Sequence, residues 1–216
     1  MNNEPTTPLI SLIVVTYNSA ALLPNFFAAL ATTTYAPYEV LVVDNASQDG
    51  TPQLVAADYP AARLIANREN LGFGRACNQG ARAARGELLV FLNPDVFVTP
   101  GWLTILVRRV AEHPDAAIIC PTTLYPDQPA PIATTSVEES AAVPGCAMLM
   151  PRVAWQALGG FDERIFLYGR YRAVLARLAA GLACAGRSGG AGLPRAAAAA
   201  GGAGMPSRSK TAITHT

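Results

Sequence analysis

Leu9-Ile-Ser-Leu-Ile-Val-Val-Thr16, followed at once by Tyr17-Asn18-Ser19, decides the architecture of this chain. A run nearly continuous in branched aliphatics reads as a strand buried on both faces, as in a parallel sheet whose crossovers lay helices on either side. Tyr17, Asn18 and Ser19 break the run, and Asn18 or Ser19 can cap a helix reaching to about Thr32. Pro24 is tolerated only in a first turn, so the helix proper is expected to begin near Leu23.

The alternation continues outward. Tyr38–Asp44 reads as a second strand, and Asn45-Ala-Ser-Gln-Asp-Gly-Thr51 as a loop into a helix near 52–59. Further strands are expected at 62–66, 87–92, 117–120 and 146–150, with helices at 71–84, 102–113 and 152–158. In the helix at 102–113, Leu103, Leu106, Val107 and Val110 recur at core-facing spacing. Residues 121–137, rich in Pro and Thr, read as a loop. The pattern predicts an α/β fold, a Rossmann-like and mainly parallel sheet with helices on both faces.

The formal net charge of +1 over 216 residues conceals two unlike segments. All 15 acidic residues lie at or before Glu163 with 8 of the 16 basic ones, leaving −7 on residues 1–163 and +8 on residues 164–216. The second segment is rich in Ala, Gly and Arg, and its basic residues are scattered without an aromatic or helical pattern, so nucleic-acid binding is not expected. No apolar run reaches the roughly 18 residues of a membrane-spanning helix. Met1-Asn-Asn-Glu-Pro5 lacks the basic start of a signal peptide. A cytoplasmic setting is expected, compatible with peripheral association at the inner face of a membrane. Cys77, Cys120, Cys146 and Cys184 form no Cys-x-x-Cys pair, and His113 and His215 are the only histidines. Buried thiols in a reducing compartment are expected rather than a zinc site.

In open α/β sheets ligands bind outside the carboxyl ends of the strands. Polar residues of this charge-poor chain gather there, as Thr16-Tyr17-Asn18, Asp44-Asn45 and Asn93-Pro94-Asp95. Gly72-Phe-Gly74-Arg-Ala-Cys77 places Cys where a dinucleotide fingerprint requires its third glycine, and no Gly-Lys-Ser/Thr phosphate loop occurs.

Five blocks then stand in order: Ser11–Ser19, Leu41-Val-Val-Asp-Asn-Ala-Ser-Gln-Asp-Gly-Thr51, Asn70-Leu-Gly-Phe-Gly-Arg-Ala-Cys-Asn-Gln-Gly80, Phe91-Leu-Asn-Pro-Asp95, and Pro144–Met148 with Gly159-Gly-Phe-Asp-Glu-Arg-Ile-Phe-Leu-Tyr-Gly169. Together they resemble family 2 glycosyltransferases of the GT-A fold, in their rhamnosyltransferase-like branch. The resemblance implies transfer of a sugar, with inversion, from a nucleoside diphosphate sugar to a glycan or lipid-linked acceptor in cell-wall or polysaccharide synthesis. It implies nucleotide-sugar contacts from Thr16, Tyr17, Asn18, Asp44, Asn45, Asn70, Gly72 and Asn93. In it Asp44 accepts hydrogen bonds from the base or ribose, and backbone N–H groups around Gly72 approach the diphosphate at a helix N-terminus. It also implies a divalent cation, Mg²⁺ or Mn²⁺, held by Asp95 where related sequences carry Asp-X-Asp. A sugar-phosphate nucleotidyltransferase would instead want a Gly-rich loop with a basic residue straight after the first strand, where this chain has Thr16-Tyr17-Asn18.

The resemblance breaks after Gly169. The related pattern continues with Glu-Asp, whose acid resembles the general base toward the acceptor hydroxyl, whereas this chain has Arg170-Tyr171-Arg172 and no carboxylate beyond Glu163. Reverse translation of residues 169–178, read one nucleotide later, permits Asp-Asp-Thr-Glu-Leu-Cys-Trp-Arg, an acidic Cys-Trp-Arg segment of the expected kind. Residues 1–169 are therefore read as a glycosyltransferase domain incomplete at its end, and residues 170–216 as a frameshifted, largely disordered tail. The alternative is a genuine amphipathic helix over 171–185, with Val174, Leu175, Leu178 and Leu182 on one face. Asp162 and Glu163 remain as weak candidates for the base. A second functional reading is a chain that binds nucleotide sugar but is catalytically crippled.

Overall fold

The computed structural model describes residues 7–121 and 146–166 with their side chains, and the backbone alone of residues 138–139, 195–198 and 211–212. The expected loop at 121–137 beyond its first residue, the tail helix at 171–185 and Cys184 lie outside the described residues.

Six strands make the body of the sheet: β1 (Ile10–Thr16), β2 (Tyr38–Asp44), β3 (Arg63–Ala66), β4 (Leu88–Leu92), β6 (Ala116–Cys120) and β8 (Ala147–Pro151). Two residues past the turn after β4 form β5 (Val96–Phe97), which the sequence reading did not anticipate. The short backbone segments β7 (Glu138–Glu139) and β9 (Arg195–Ala198) extend the sheet to the order β3-β2-β1-β4-β8-β6-β9-β7, and β10 (Thr211–Ala212) pairs with β5. Strands β3, β2, β1 and β4 are parallel. β8 runs antiparallel to both of its neighbours, with Ala147 opposite Leu92 and Leu149 opposite Ile119. The sheet is thus mixed and mostly parallel.

Every residue of β1 is buried, which is why its sequence lacks the alternation of a one-sided strand. Helices α1 (Leu23–Leu30), α2 (Thr51–Asp58) and α4 (Trp102–Glu112) cover one face through Leu23, Phe26, Val55, Trp102 and Leu103. On the other face α3 (Phe73–Ala83) and α5 (Arg152–Leu158) pack through Phe73, Ala76, Cys77 and Ala154. α1 starts at Leu23, with Pro24 in its first turn, as the proline requires. In α4, Leu103 and Leu106 are buried while Val107 and Val110 lie partly buried against the same core. Trp102 is fully buried and its indole N–H donates to Thr33 Oγ1 at 3.0 Å, tying the start of α4 to the segment after α1. Cys77 and Cys120 are buried free thiols, and Cys146 is half-buried. Burial pushes the Cys120 thiol well above its ordinary pKa, with Cys146 adding to the effect.

Register fixes the functional edge. Thr16 lies opposite Asp44, Asp44 opposite Ala66, and Val14 opposite Leu92, so the residues just past β1, β2, β3 and β4 come out on one carboxyl edge.

Candidate active site

At that edge the loops after β1 and β2 are stitched to each other. Thr16 Oγ1 donates to Asp44 Oδ1 at 2.8 Å, Ser47 Oγ donates to the same oxygen at 2.5 Å, and the Ser47 N–H donates to Asp44 Oδ2 at 2.9 Å. The Asn18 N–H donates to Ser47 Oγ and Asn18 Oδ1 accepts from the Gln48 N–H, each at 2.8 Å. Asn18 adopts a left-handed backbone (φ 49°), which asparagine tolerates better than most residues. Asp49 completes the seam, accepting from the Ala20 N–H at 2.8 Å and from the Thr51 hydroxyl at 2.5 Å. Burial pushes the Asp49 carboxyl up, but these hydrogen bonds outweigh it and hold the group below the usual carboxylate range.

Thr16 and Asp44 are fully buried and Asn45 is 2% exposed, whereas Tyr17 is 54% exposed. Asp44 therefore braces the two loops from beneath, and its Oδ1 is filled by two hydroxyls. Asn45 is held similarly: its N–H donates to the Thr16 carbonyl at 2.8 Å, its Nδ2 to the Gly72 carbonyl at 3.2 Å, and its Oδ1 accepts from Asn67 Nδ2 at 3.0 Å. Gln79 Nε2 donates in turn to Asn67 Oδ1 at 2.9 Å. Asn67 and Gln79 were missed from sequence, since an amide after a short strand and another inside a helix carry no spacing that marks them.

The glycine-rich entry to α3 departs from expectation. Its amides are used within the chain: the Gly72 N–H donates to Asn70 Oδ1 at 3.0 Å, and the Phe73 N–H to the Phe166 carbonyl at 2.8 Å. Gly72 has φ +81°, and a Cβ there would lie 2.6 Å from the Phe166 carbonyl oxygen. A close approach that needs glycine is thus made here by Phe166, and the Gly72 and Phe73 amides that were expected to face a diphosphate are held by Asn70 and Phe166.

That segment is clamped along α3 by Asn78, which is 1% exposed. Asn78 Oδ1 accepts from the Phe161 N–H at 2.8 Å, and its Nδ2 donates to the Phe161 carbonyl and to Glu163 Oε1, both at 3.0 Å. Gly160 (φ +76°) passes so close that a Cβ would come within 2.5 Å of Asn78 Oδ1. The Phe161 ring fills the core edge-on to Phe91 and Phe73, with centroids 5.0 and 6.4 Å away.

Asn93 and Asp95 stand half-buried in the turn between β4 and β5. The Asn93 N–H donates to the Cys146 carbonyl at 2.9 Å, which fixes the turn to the start of β8. Among the described residues no three His, Cys, Asp or Glu side chains converge as a metal-binding group. The donors at this turn are one carboxylate and one amide, all oxygen. That set fits a hard cation such as Mg²⁺ or Mn²⁺ that takes its remaining oxygens from phosphate and water, and does not fit zinc.

Residues 11–167 match the sequence pattern of glycosyl transferase family 2. The chain belongs to this family. It is 30% identical over 208 residues to the N-acetylglucosaminyl-diphospho-decaprenol L-rhamnosyltransferase of Mycobacterium tuberculosis, covering 75% of this chain and 67% of that one. It is 40% identical over 111 residues to the succinoglycan biosynthesis protein ExoO of Rhizobium meliloti, 51% of this chain and 31% of that one. Among solved structures, a mannosyltransferase from Pyrobaculum calidifontis in complex with GDP-Man and Mn²⁺ superposes with a TM-score of 0.67 at 23% identity, over 83% of this chain and 53% of the other. Residues 1–349 of S. aureus TarS in complex with UDP-GlcNAc superpose with a TM-score of 0.69 at 18% identity, over 96% and 58%. These likenesses establish the GT-A fold, and this chain spans little more than half the length of those two structures.

For a family 2 glycosyltransferase the disposition of Asp162 and Glu163 bears on acid–base chemistry. The Glu163 carboxylate accepts from Asn78 Nδ2 and from Arg82 Nη2, each at 3.0 Å, and Arg75 lies at 3.9 Å. These partners, Asn78 first, hold its carboxyl below the ordinary range and keep it ionised, and they lay it along α3 from Arg75 in the first turn to Arg82 in the last. Asp162 is bound by its near neighbour Arg164 through Nε at 2.9 Å and Nη2 at 2.6 Å. The structure brings the groups after β1, β2 and β4 to one edge, while the Glu163 carboxylate is engaged by Asn78 and Arg82 on α3.

Proposed function

We propose that this chain binds a nucleoside diphosphate sugar at the carboxyl edge of β1, β2 and β4 and belongs to an enzyme that transfers the sugar to a glycan or lipid-linked acceptor. One observation carries the reading: the loops at 16–20 and 44–51, stitched into one surface, share an edge with the Asn93–Asp95 turn. The names of the relatives support it, a rhamnosyltransferase acting on a decaprenol-linked sugar and a mannosyltransferase holding GDP-Man.

In this reading Tyr17 and Asn18 face the nucleoside, Asp44 and Asn45 set the pocket floor, Asn70 fixes the entry to α3, and Asn93 and Asp95 face the diphosphate. Asp95 with Asn93 would hold a divalent cation, which neutralises charge growing on the departing nucleoside diphosphate. A direct in-line displacement inverts the anomeric centre. Among the described residues, no helix is long and apolar enough to cross a membrane.

Calorimetric titration of the purified chain with UDP, dTDP and GDP, each with and without Mn²⁺, tests the reading. Saturable binding of at least one is expected, and no binding of any overturns it.

A second reading is favoured by the engagement of Glu163 with Asn78 and Arg82, together with the lack of carboxylates in residues 164–216. Here the chain keeps the nucleotide site but turns over slowly, as loss of a general base commonly costs about 10²- to 10⁴-fold in rate. Nucleotide binding without measurable transfer supports it, and robust transfer by the 216-residue chain overturns it.

A further inference from the structure

Among the described residues three large hydrophobic side chains are exposed: Tyr17 at 54%, Phe166 at 57% and Val153 at 73%. Val153 lies at the far end of the sheet, beside Arg152, whose guanidinium donates to the Gly86 and Ala81 carbonyls before β4. Tyr17 and Phe166 both stand at the carboxyl edge.

Phe166 is not a loosely placed side chain. Its carbonyl accepts the Phe73 N–H at 2.8 Å, and its ring rests on Gly72, where a Cβ would come within 2.8 Å of Cδ2. Gly72 in turn accepts from Asn45 Nδ2 at 3.2 Å, so the ring stands beside the end of β2. An aromatic face that stays in water while its backbone is pinned is already ordered, and a ligand stacking on it forfeits little further conformational freedom.

The sheet gives the occupant. Asp95 follows β4, and β4, β1 and β2 are successive neighbours. At about 5 Å per strand, the ends of β4 and β2 lie about 10 Å apart. A nucleoside diphosphate whose phosphates lie by Asp95 and which runs across β1 brings its base over the end of β2, between Tyr17 and Phe166.

We infer that Phe166 is a nucleobase-stacking residue, forming the wall of the base pocket on the α3 side. The inference rests on the nucleotide-sugar reading above and adds to it a specific contact. Every base has a π-face, so stacking supplies affinity without choosing among bases.

The test compares wild type with Phe166→Ala, Phe166→Leu and Phe166→Trp by calorimetric titration with UDP, dTDP, GDP and inorganic pyrophosphate in Mn²⁺. Phe166→Leu keeps apolar bulk on Gly72 but removes the π-face. The Ala and Leu variants are expected to bind all three nucleotides about tenfold more weakly, with pyrophosphate unchanged, and Phe166→Trp to bind at least as tightly as wild type. Thermal midpoints near wild type confirm intact folds. If wild type binds nucleotide and the Ala and Leu variants bind it equally well, the stacking role is overturned and the nucleotide reading stands. An equal loss of pyrophosphate also overturns it. If wild type binds no nucleotide, the parent reading falls and this one with it.

Discussion

Asn78 holds Phe161 by both backbone polar atoms, accepting its N–H at 2.8 Å and donating to its carbonyl at 3.0 Å. The pairing turns an interior position of α3 into the dock for a segment more than eighty residues downstream, and the same amide reaches Glu163.

Asn78→Ala removes all three contacts and leaves a buried N–H and C=O without partners. Such groups cost about 1–3 kcal/mol each, so a loss of about 2–4 kcal/mol is expected in chemical denaturation. Asn78→Asp preserves shape but sets a carboxylate against the Phe161 carbonyl and the Glu163 carboxylate, and no rescue is expected. A Tm within a degree of wild type for either variant would show that the segment does not need the clamp.

Gly72→Ala and Gly50→Ala separate backbone strain from contact. Both glycines have positive φ, +81° and +84°, so both substitutions carry the left-handed penalty. Only at Gly72 does the new methyl also meet the Phe166 carbonyl, at 2.6 Å; at Gly50 nothing lies within 4 Å. The Gly50 variant is expected to lose about 1 kcal/mol, and the Gly72 variant more, with faster hydrogen exchange at the Phe73 amide. Equal losses would remove the argument that Gly72 exists to seat Phe166.

These two glycines also mark how far the sequence could be read. The strand at 9–16, the break at Tyr17 and the proline-limited start of α1 were legible because each rests on local chemistry, continuous aliphatics, their interruption, and a ring without an N–H, whereas the expected cap by Asn18 or Ser19 was not met: Leu22 stands at the N-cap of α1 and no side chain caps it. The carboxyl-edge grouping of Thr16, Asp44 and Asn93 was legible for the same reason, since parallel strands put their ends together. What Gly72 approaches was not. A glycine before a helix looks alike whether it admits a phosphate or a distant backbone, and only the fold shows that Phe166 occupies the space. The buried state of Asp44 was hidden likewise, because the hydroxyls that fill it come from Thr16 and Ser47 on two different loops.

Glu39 supplies a pH-dependent share of stability at the opposite end of the sheet. Burial pushes its carboxyl up, but hydrogen bonds from the Ser11 hydroxyl at 2.7 Å, the Arg85 N–H at 2.6 Å and Arg85 Nε at 2.9 Å outweigh it, and the folded pKa lies below the ordinary 4.5. A depressed folded pKa contributes stability that is complete above the unfolded value and lost as pH falls through the folded one. Glu39→Gln is therefore expected to be less stable than wild type at pH 7, with the gap narrowing below about pH 4.5 as wild-type Glu39 protonates. Denaturant midpoints at pH 7 and pH 3 measure it; a gap independent of pH would show that the Ser11 and Arg85 contacts do not depend on charge.

Asp95→Asn tests the proposed cation at the carboxylate of the turn between β4 and β5. The substitution keeps the size of the side chain in a turn already fixed by the Asn93 N–H to the Cys146 carbonyl, at 2.9 Å, so the fold and Tm should change little. The charge available to a divalent cation falls, and among the described residues no carboxylate of β4, β5 or the turn between them other than Asp95 replaces it. Nucleoside diphosphate binding by wild type should strengthen with Mn²⁺, whereas the variant should bind in Mn²⁺ about as weakly as wild type does in EDTA. A loss of about tenfold or more in the Mn²⁺-dependent part is the expected scale for removing a sole charged ligand, since even partners of a ligand are worth 10- to 100-fold. If Asp95→Asn kept the full Mn²⁺ enhancement, the cation would have to be held by the nucleotide alone, and Asp95 would return to being a turn residue between β4 and β5.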